Sequence, residues 1–195
     1  MGQSRELILG SSSPFRRQLL DRLGLEYSCD SPEIDESRLP GESAEQLVLR
    51  LAEAKARAVA KRHPGALVIG SDQVAVLGEE ILGKPGEHDR AFAQLKAASG
   101  KAVVFHTGLC LYDGASDKAH VVGVPFRVGF RELSDSQIEN YLQREQPYNC
   151  AGSFKSEGLG IALFTFMEGE DPNALIGLPL IQLISMLEEA GVQVL

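Results

Sequence analysis

The sequence predicts an α/β fold: a central mixed, twisted sheet flanked by helices. Short apolar runs alternate with helical patterns through the first half of the chain. Two longer strand-like stretches follow one another in the second half, near Ala102–Tyr112 and Ala119–Arg131. Serine-led helix starts recur at Ser13, Ser43 and Ser134. The length of 195 residues suits one domain, residues 1–195, or two small lobes sharing a cleft. No repeat, low-complexity tract or linker divides it.

Leu7-Ile8-Leu9 reads as a short buried strand. Ser13 is placed as the N-cap of a helix with Pro14 at its first position, running to about Leu23 before Gly24 stops it. A strand near Glu26–Asp30 leads into an acidic loop, Pro32 to Gly41. Ser43-Ala44-Glu45-Gln46 is a capping box, and its helix runs to about Arg62, before His63-Pro64-Gly65. Ala66-Leu67-Val68-Ile69 is a buried strand expected to end at Gly70-Ser71-Asp72-Gln73. Gly78-Glu79-Glu80 makes a turn between Val74–Leu77 and Ile81–Leu82. A helix covers about Glu87–Ala98, and the two long strands follow. Ser134-Asp135-Ser136-Gln137 is a second capping box, for a helix to about Glu145. Pro147 to Gly160 is a polar, glycine-bearing loop of the kind that often carries function. A last helix runs from near Pro179 to Ala190-Gly191.

Composition narrows the function classes. Hydrophobic residues are 44% and charged residues 24%, which fits a packed core and excludes a disordered chain. The net charge of −8 shows no basic face for nucleic acid, although a few gathered cations with a metal ion can still hold a small polyanion. Cys29, Cys110 and Cys150 are odd in number and not at Cys-x-x-Cys spacing, so a reducing compartment is expected rather than a disulfide or zinc framework. Met1-Gly2-Gln3-Ser4-Arg5-Glu6 opens like a myristoylation site, but Glu6 stands where Ser or Thr is required. No signal peptide is legible, and the longest apolar stretch, Leu175 to Leu187, contains Pro179 and Gln182 and is too short to cross a bilayer. These features point to a cytoplasmic location with no membrane partner.

Some residues sit where their chemistry is out of place. Arg16 and Arg17 fall in the first turn of a helix, where the macrodipole favours anions. An anion held between the arginines and the backbone N–H groups removes the conflict, and the serine-rich turn with Ser11 and Ser13 suits phosphate. The alternative is two solvated arginines. Leu47, Leu51, Lys55 and Val59 share one helix stripe, so Lys55 either snorkels to solvent, the reading that periodicity favours slightly, or reaches into a cleft to meet phosphate. Asp72, just past a buried strand, sits where such sheets place ligands; it either serves a metal or a water proton or caps its own turn. Glu33, Asp35 and Glu36 add oxygen ligands for a hard cation, or form a solvated acidic loop. Lys84, in Leu82-Gly83-Lys84-Pro85, gains interest only beside the others.

These features occur together in one family. The chain resembles the Maf proteins, nucleotide pyrophosphatases, over nearly its whole length. The matching stretches are Leu7 to Arg17, Ala54-Lys55-Ala56, Gly70-Ser71-Asp72-Gln73-Val74, Leu82-Gly83-Lys84-Pro85, Thr107-Gly108, Cys150 to Gly158 and Gly177-Leu178-Pro179. Each alone is weak; together, in order and at family spacing, they are specific. The resemblance sharpens the fold to the Maf/ITPase-like type, with two lobes around a cleft. The branch that acts on dTTP and UTP typically has Arg at the position of Phe15, Thr at Gln73 and Gln at Glu157. This chain is similar to the 7-methyl-GTP branch at all three, with Phe15 replacing a frequent Trp.

Physical chemistry supports the subfamily. N7-methylation makes guanine cationic, which an aromatic face such as Phe15 attracts. The Glu157 carboxylate can accept from guanine N1–H and the exocyclic amine, whereas the O2 and O4 acceptors of uracil or thymine would be repelled. The competing readings are core packing of Phe15 with Leu19 and Leu23, and a solvated Glu157. The resemblance implies hydrolysis of an α–β phosphoanhydride. Asp72 is the expected base and metal ligand, and Glu33 a second ligand of a divalent cation, Mg²⁺ or Mn²⁺. Ser11, Ser13, Arg16, Arg17, Lys55 and Lys84 would bind the phosphates, and Phe15, Gln73 and Glu157 would set specificity. The expected partner is a small-molecule nucleotide, and a homodimer is compatible with the sequence. The alternatives are a dTTP/UTP pyrophosphatase and a nucleotide-binding regulator of cell division, since the family has been linked to septum formation.

Overall fold

Leu7, Ile8 and Leu9 are all buried and form the first strand, β1 (Leu7–Leu9). In the computed structural model, which describes residues 5–195, β1 lies parallel to both β2 (Ser28–Cys29) and β3 (Leu67–Leu77). Met1 to Ser4, which open the myristoylation-like stretch, fall outside the described residues. β4 (Glu80–Leu82) turns back antiparallel on β3 with Leu77 opposite Glu80, so the turn expected at Gly78-Glu79-Glu80 is present but confined to Gly78 and Glu79, with Glu80 in the strand. With β5 (Ala102–Asp113), β6 (Lys118–Phe130) and β7 (Phe164–Gly169), the strands form one seven-stranded sheet in the order β2-β1-β3-β5-β6-β7, with β4 on β3. β6 and β7 are antiparallel, so the sheet is mixed, as expected.

The helix signals hold at their N-termini. α1 (Pro14–Asp21) has Ser13 as its cap and Pro14 at its start. α2 (Ala44–Ala60) and α4 (Asp135–Glu145) both close reciprocal capping boxes, Ser43 with Gln46 and Ser134 with Gln137. α3 (His88–Ala98) lies between β4 and β5 in the chain. α5 (Pro172–Ile176) and α6 (Leu180–Glu189) end it. Asp171 is buried and serves both: its carboxylate accepts from the Asn173 N–H at 2.8 Å and from the Ile181 N–H at 2.9 Å. Among the described residues, no helix is long and apolar enough to cross a membrane.

The chain divides into two compact units. The first comprises residues through Asp72, Thr107–Val124 and Asp171–Leu195. Its strands alternate strictly between two apolar clusters. Leu7, Leu9, Leu67, Ile69, Leu109 and Leu111 face one cluster with α1 and α6, while Ile8, Val68 and Cys110 face the other with α2. The second unit comprises Gln73–His106 and Pro125–Glu170. Its core includes an edge-to-face group in which Phe154 meets Phe105, Phe130 and Phe164 at centroid distances of 5.2, 5.6 and 4.8 Å.

Several elements depart from the expectations, among them α5, which has no counterpart in them. β3 does not stop at Gly70 but continues to Leu77, so Asp72 is within the strand. Gly-Ser-Asp reads as a turn locally, but the pairing of β3 with its neighbours overrides that preference. β7 has no legible signal because only Phe164 is buried along it; it lies at the edge of the sheet. The loop at Pro147–Gly160 contains a 3₁₀ turn at Ala151–Ser153, and another 3₁₀ turn follows at Leu159–Leu163.

Candidate active site

The site in the first unit begins with two glycines. A side-chain carbon on Gly70 would lie 2.1 Å from the Ala52 carbonyl oxygen, and one on Gly108 would lie 2.2 Å from that of Val48. Only glycine lets β3 and β5 approach the backbone of α2 so closely. That approach brings Lys55, on α2, to Asp72, two residues beyond Gly70. Lys55 Nζ donates to Asp72 Oδ1 at 2.7 Å and lies 3.1 Å from Glu36 Oε1. The Lys55 and Asp72 side chains are only 9% and 11% exposed, so neither charge is left to water. Periodicity slightly favoured a snorkelling Lys55; the structure overturns that reading. A carboxylate waits on the neighbouring strand, which a helix-face argument cannot see.

A second set of contacts surrounds Arg16. Ser11 is buried, and its hydroxyl accepts from the Ser13 N–H at 3.1 Å. The Ser13 hydroxyl accepts from the Arg16 N–H at 3.4 Å. Both serines therefore shape the strand-to-helix turn, and two of its N–H groups are already bonded. Arg16 Nε donates to the Gly177 carbonyl at 2.8 Å. The buried Ser71 hydroxyl is 3.0 Å from that same carbonyl and 2.9 Å from that of Gly108. Arg16 retains some surface, but burial lowers its pKa, and the charges of Asp72 and Glu36 pull it back up. Arg16, Lys55, Asp72 and Glu36 thus form one electrostatic group of two cations and two anions.

Phe15 is half-buried on α1. Arg17 is exposed and is not brought to Arg16's group; it lines an open recess of about 540 Å³ with Asp21, Tyr27 and Cys29. Glu33 is exposed, and its charge acts on Arg62. Of the three acidic-loop residues, Glu36 is the one that reaches Lys55.

The second unit carries the remaining residues. Gln73 follows Asp72 on β3 and is half-buried. Lys84 is exposed, and its turn is tied to the 147–160 loop by the Gly86 N–H, which donates to the Tyr148 carbonyl at 2.9 Å. Burial pushes the Cys150 thiol up to about 11 against the pull of Lys155 and Lys84, which puts both lysines in that loop's field. Ser153, at φ 65°, holds a backbone conformation uncommon for a non-glycine residue. Phe154 anchors the loop in the aromatic core, and the Lys155 N–H donates to the Tyr141 hydroxyl at 3.0 Å. Beyond that anchor Glu157 is exposed, 3.4 Å from the Ser156 hydroxyl.

Sequence reasoning gave no role to Ser71, whose carbonyl partners lie 37 and 106 residues away, or to Asp171, which accepts from Asn173 and, ten residues on, from Ile181, and had no ground to choose Glu36. Among the described residues, no three His, Cys, Asp or Glu side chains gather to hold a metal by themselves. Asp72 and Glu36 offer hard carboxylate oxygens beside the same ammonium. That donor set suits a divalent cation completed by phosphate oxygens and water.

The profile of the family described as Maf-like protein matches residues 6–190. A 7-methyl-GTP pyrophosphatase of Nitrosococcus oceani is 61% identical over 97% of this chain and 95% of its own length. One from Alcanivorax borkumensis is 60% identical over 98% and 97%. One from Pseudomonas aeruginosa is 57% identical over 97% and 98%. The signature residues, the mixed sheet and the similarity from end to end agree, and the chain belongs to the Maf family.

Proposed function

We propose that the protein is a nucleoside triphosphate pyrophosphatase that converts 7-methyl-GTP to 7-methyl-GMP and pyrophosphate. The buried Lys55–Asp72 pair carries this reading, in a chain whose relatives, at 57–61% identity, bear that name. Asp72 orients a water and takes its proton as the water oxygen attacks the α-phosphorus. The bond to the bridging oxygen breaks, and pyrophosphate leaves. Lys55 holds the Asp72 carboxylate in place, and Arg16, seated on the Gly177 carbonyl, meets phosphate charge. Lys84 and the Ser11–Ser13 turn complete the phosphate contacts. A divalent cation, Mg²⁺ or Mn²⁺, held by Asp72 with Glu36 or Glu33, would neutralise phosphate charge. Phe15, Gln73 and Glu157 select the base. The chain works as one domain in the cytoplasm, its partner a small nucleotide.

A turnover panel of 7-methyl-GTP, GTP, UTP and dTTP with added divalent cations tests the proposal. The parent should prefer 7-methyl-GTP. Glu157→Gln keeps the size and loses the charge, so that preference over GTP should shrink by about 1–2 kcal/mol. A parent preference for UTP or dTTP would move the protein to the other branch; an intact preference in Glu157→Gln would move selectivity to Gln73.

A further inference from the structure

The loop that brings Glu36 to Lys55 has a fastening of its own. Glu42, where the loop meets α2, is a buried carboxylate. Arg50, on α2, grips it with a fork: Nε donates to Oε1 at 2.6 Å and Nη2 to Oε2 at 2.9 Å. The same Nη2 donates to the Ser37 carbonyl at 3.0 Å, one residue past Glu36. The Leu39 N–H donates to Glu42 Oε2 at 3.0 Å, and Arg38 Nε to the Glu42 carbonyl at 2.7 Å. The Arg50 guanidinium holds the Glu42 carboxyl down at about 2, so the pair stays charged at any physiological pH. Arg50 and Lys55 stand on the same helix five residues apart. α2 therefore grips the loop twice, through Arg50 at Ser37 and Glu42 and through Lys55 at Glu36.

We propose that Glu42 and Arg50 form a positioning pair that fixes residues 36–42 on α2, keeping Glu36 on Lys55 and Lys55 on Asp72. Neither residue touches substrate; both act through Glu36. A buried ion pair is a weak device for stability, because desolvation offsets much of its attraction. A two-point fork is a strong device for geometry. The kinetic part of this inference rests on the pyrophosphatase reading; the structural part does not.

The test uses Glu42→Gln, Arg50→Gln and the double variant, with Glu36→Gln for reference. Two readouts need no substrate: amide hydrogen exchange across residues 33–42, and the rate at which acetic anhydride labels Lys55. The third is kcat and KM for 7-methyl-GTP. In the Glu42 and Arg50 variants the Leu39 amide should exchange faster and Lys55 should label about tenfold faster, as expected when a local structure opens. kcat should fall about 10- to 100-fold, the scale of a small misplacement, with KM changed less than about threefold. The double variant should lose little more than the worse single, since the pair acts as one unit. Glu36→Gln should lower kcat while leaving the Leu39 amide protected. Arg50→Lys keeps the charge without the fork and should shift every readout the same way by less, which serves if the neutral variants do not fold. Parental labelling and exchange in folded variants would overturn the proposal, as would parental kcat in variants that only melt earlier. If the parent turns over no nucleotide, the pyrophosphatase reading fails, and labelling and exchange alone decide on the clamp.

Discussion

Asp72 and Lys55 define each other. Asp72 is a strand residue with an ammonium 2.7 Å away, and Lys55 is a helix-stripe residue that would be an error in an apolar core without that carboxylate. Asp72→Asn keeps the shape and one acceptor oxygen but removes the group proposed as the base. Turnover should drop about 10²- to 10⁴-fold, the usual worth of a general base, while nucleotide affinity and, with the Glu36 carboxylate still beside Lys55, the fold persist. Steady-state kinetics with a binding titration on the same variant checks both halves. Near-parental turnover would remove Asp72 from the chemistry. At this scale the residue types were legible in the sequence and their partners were not. Glu33, Asp35 and Glu36 are alike as a string, and only the loop's path selects Glu36 as the neighbour of Lys55.

At the scale of elements, the decisive feature is how closely α2 rides on β3 and β5. Gly70 and Gly108 leave no room for a side-chain carbon, and Lys55 projects from the turn of α2 that Gly70 admits. Gly70→Ala should therefore cost more than an ordinary surface change. Overpacking of this kind costs about 1–3 kcal/mol, more when backbone is the obstacle. It should also reduce turnover at temperatures where the variant is still folded, because α2 must lift away from Asp72. Urea unfolding paired with activity separates the two effects; a neutral substitution would contradict the close approach. The caps and the β3–β4 turn were readable because their partners lie within four residues. β7 was not, since an edge strand with one buried residue has no period to detect.

At the scale of the whole molecule, hydrogen bonds hold several carboxylates below their usual range, Glu139 of the second unit among them. Hydrogen bonds from Arg50 hold Glu42 at about 2, and those from Arg62 and then His63 hold Asp30 at about 2. The Arg5 guanidinium likewise keeps Asp113 well below the carboxylate range. All three belong to the first unit. Each folded pKa lies below its unfolded value near 4, so the stabilisation is complete above that value and is lost as pH falls through the folded one. Thermal melts should weaken progressively from about pH 4.5 toward pH 2. Glu42→Gln should flatten part of that slope, and an unchanged slope would show that the Arg50 pair does not survive in solution.

The sequence by itself determined the α/β class, the helix starts, the β3–β4 turn and the family, because each rests on residues near one another in the chain or on an ordered set of short motifs. Only the tertiary structure decided that Lys55 is buried rather than snorkelling, that β3 runs through Asp72, that Glu36 meets Lys55 and that Arg17 stands apart from Arg16. The reason is physical. A buried ammonium is tolerable only beside a carboxylate, and that carboxylate is 17 residues away on another element. Arg16 depends in the same way on a carbonyl 161 residues distant. Local rules weigh a residue against its helix or its turn; the folded chain weighs it against whatever the sheet and the glycine contacts bring within three ångströms.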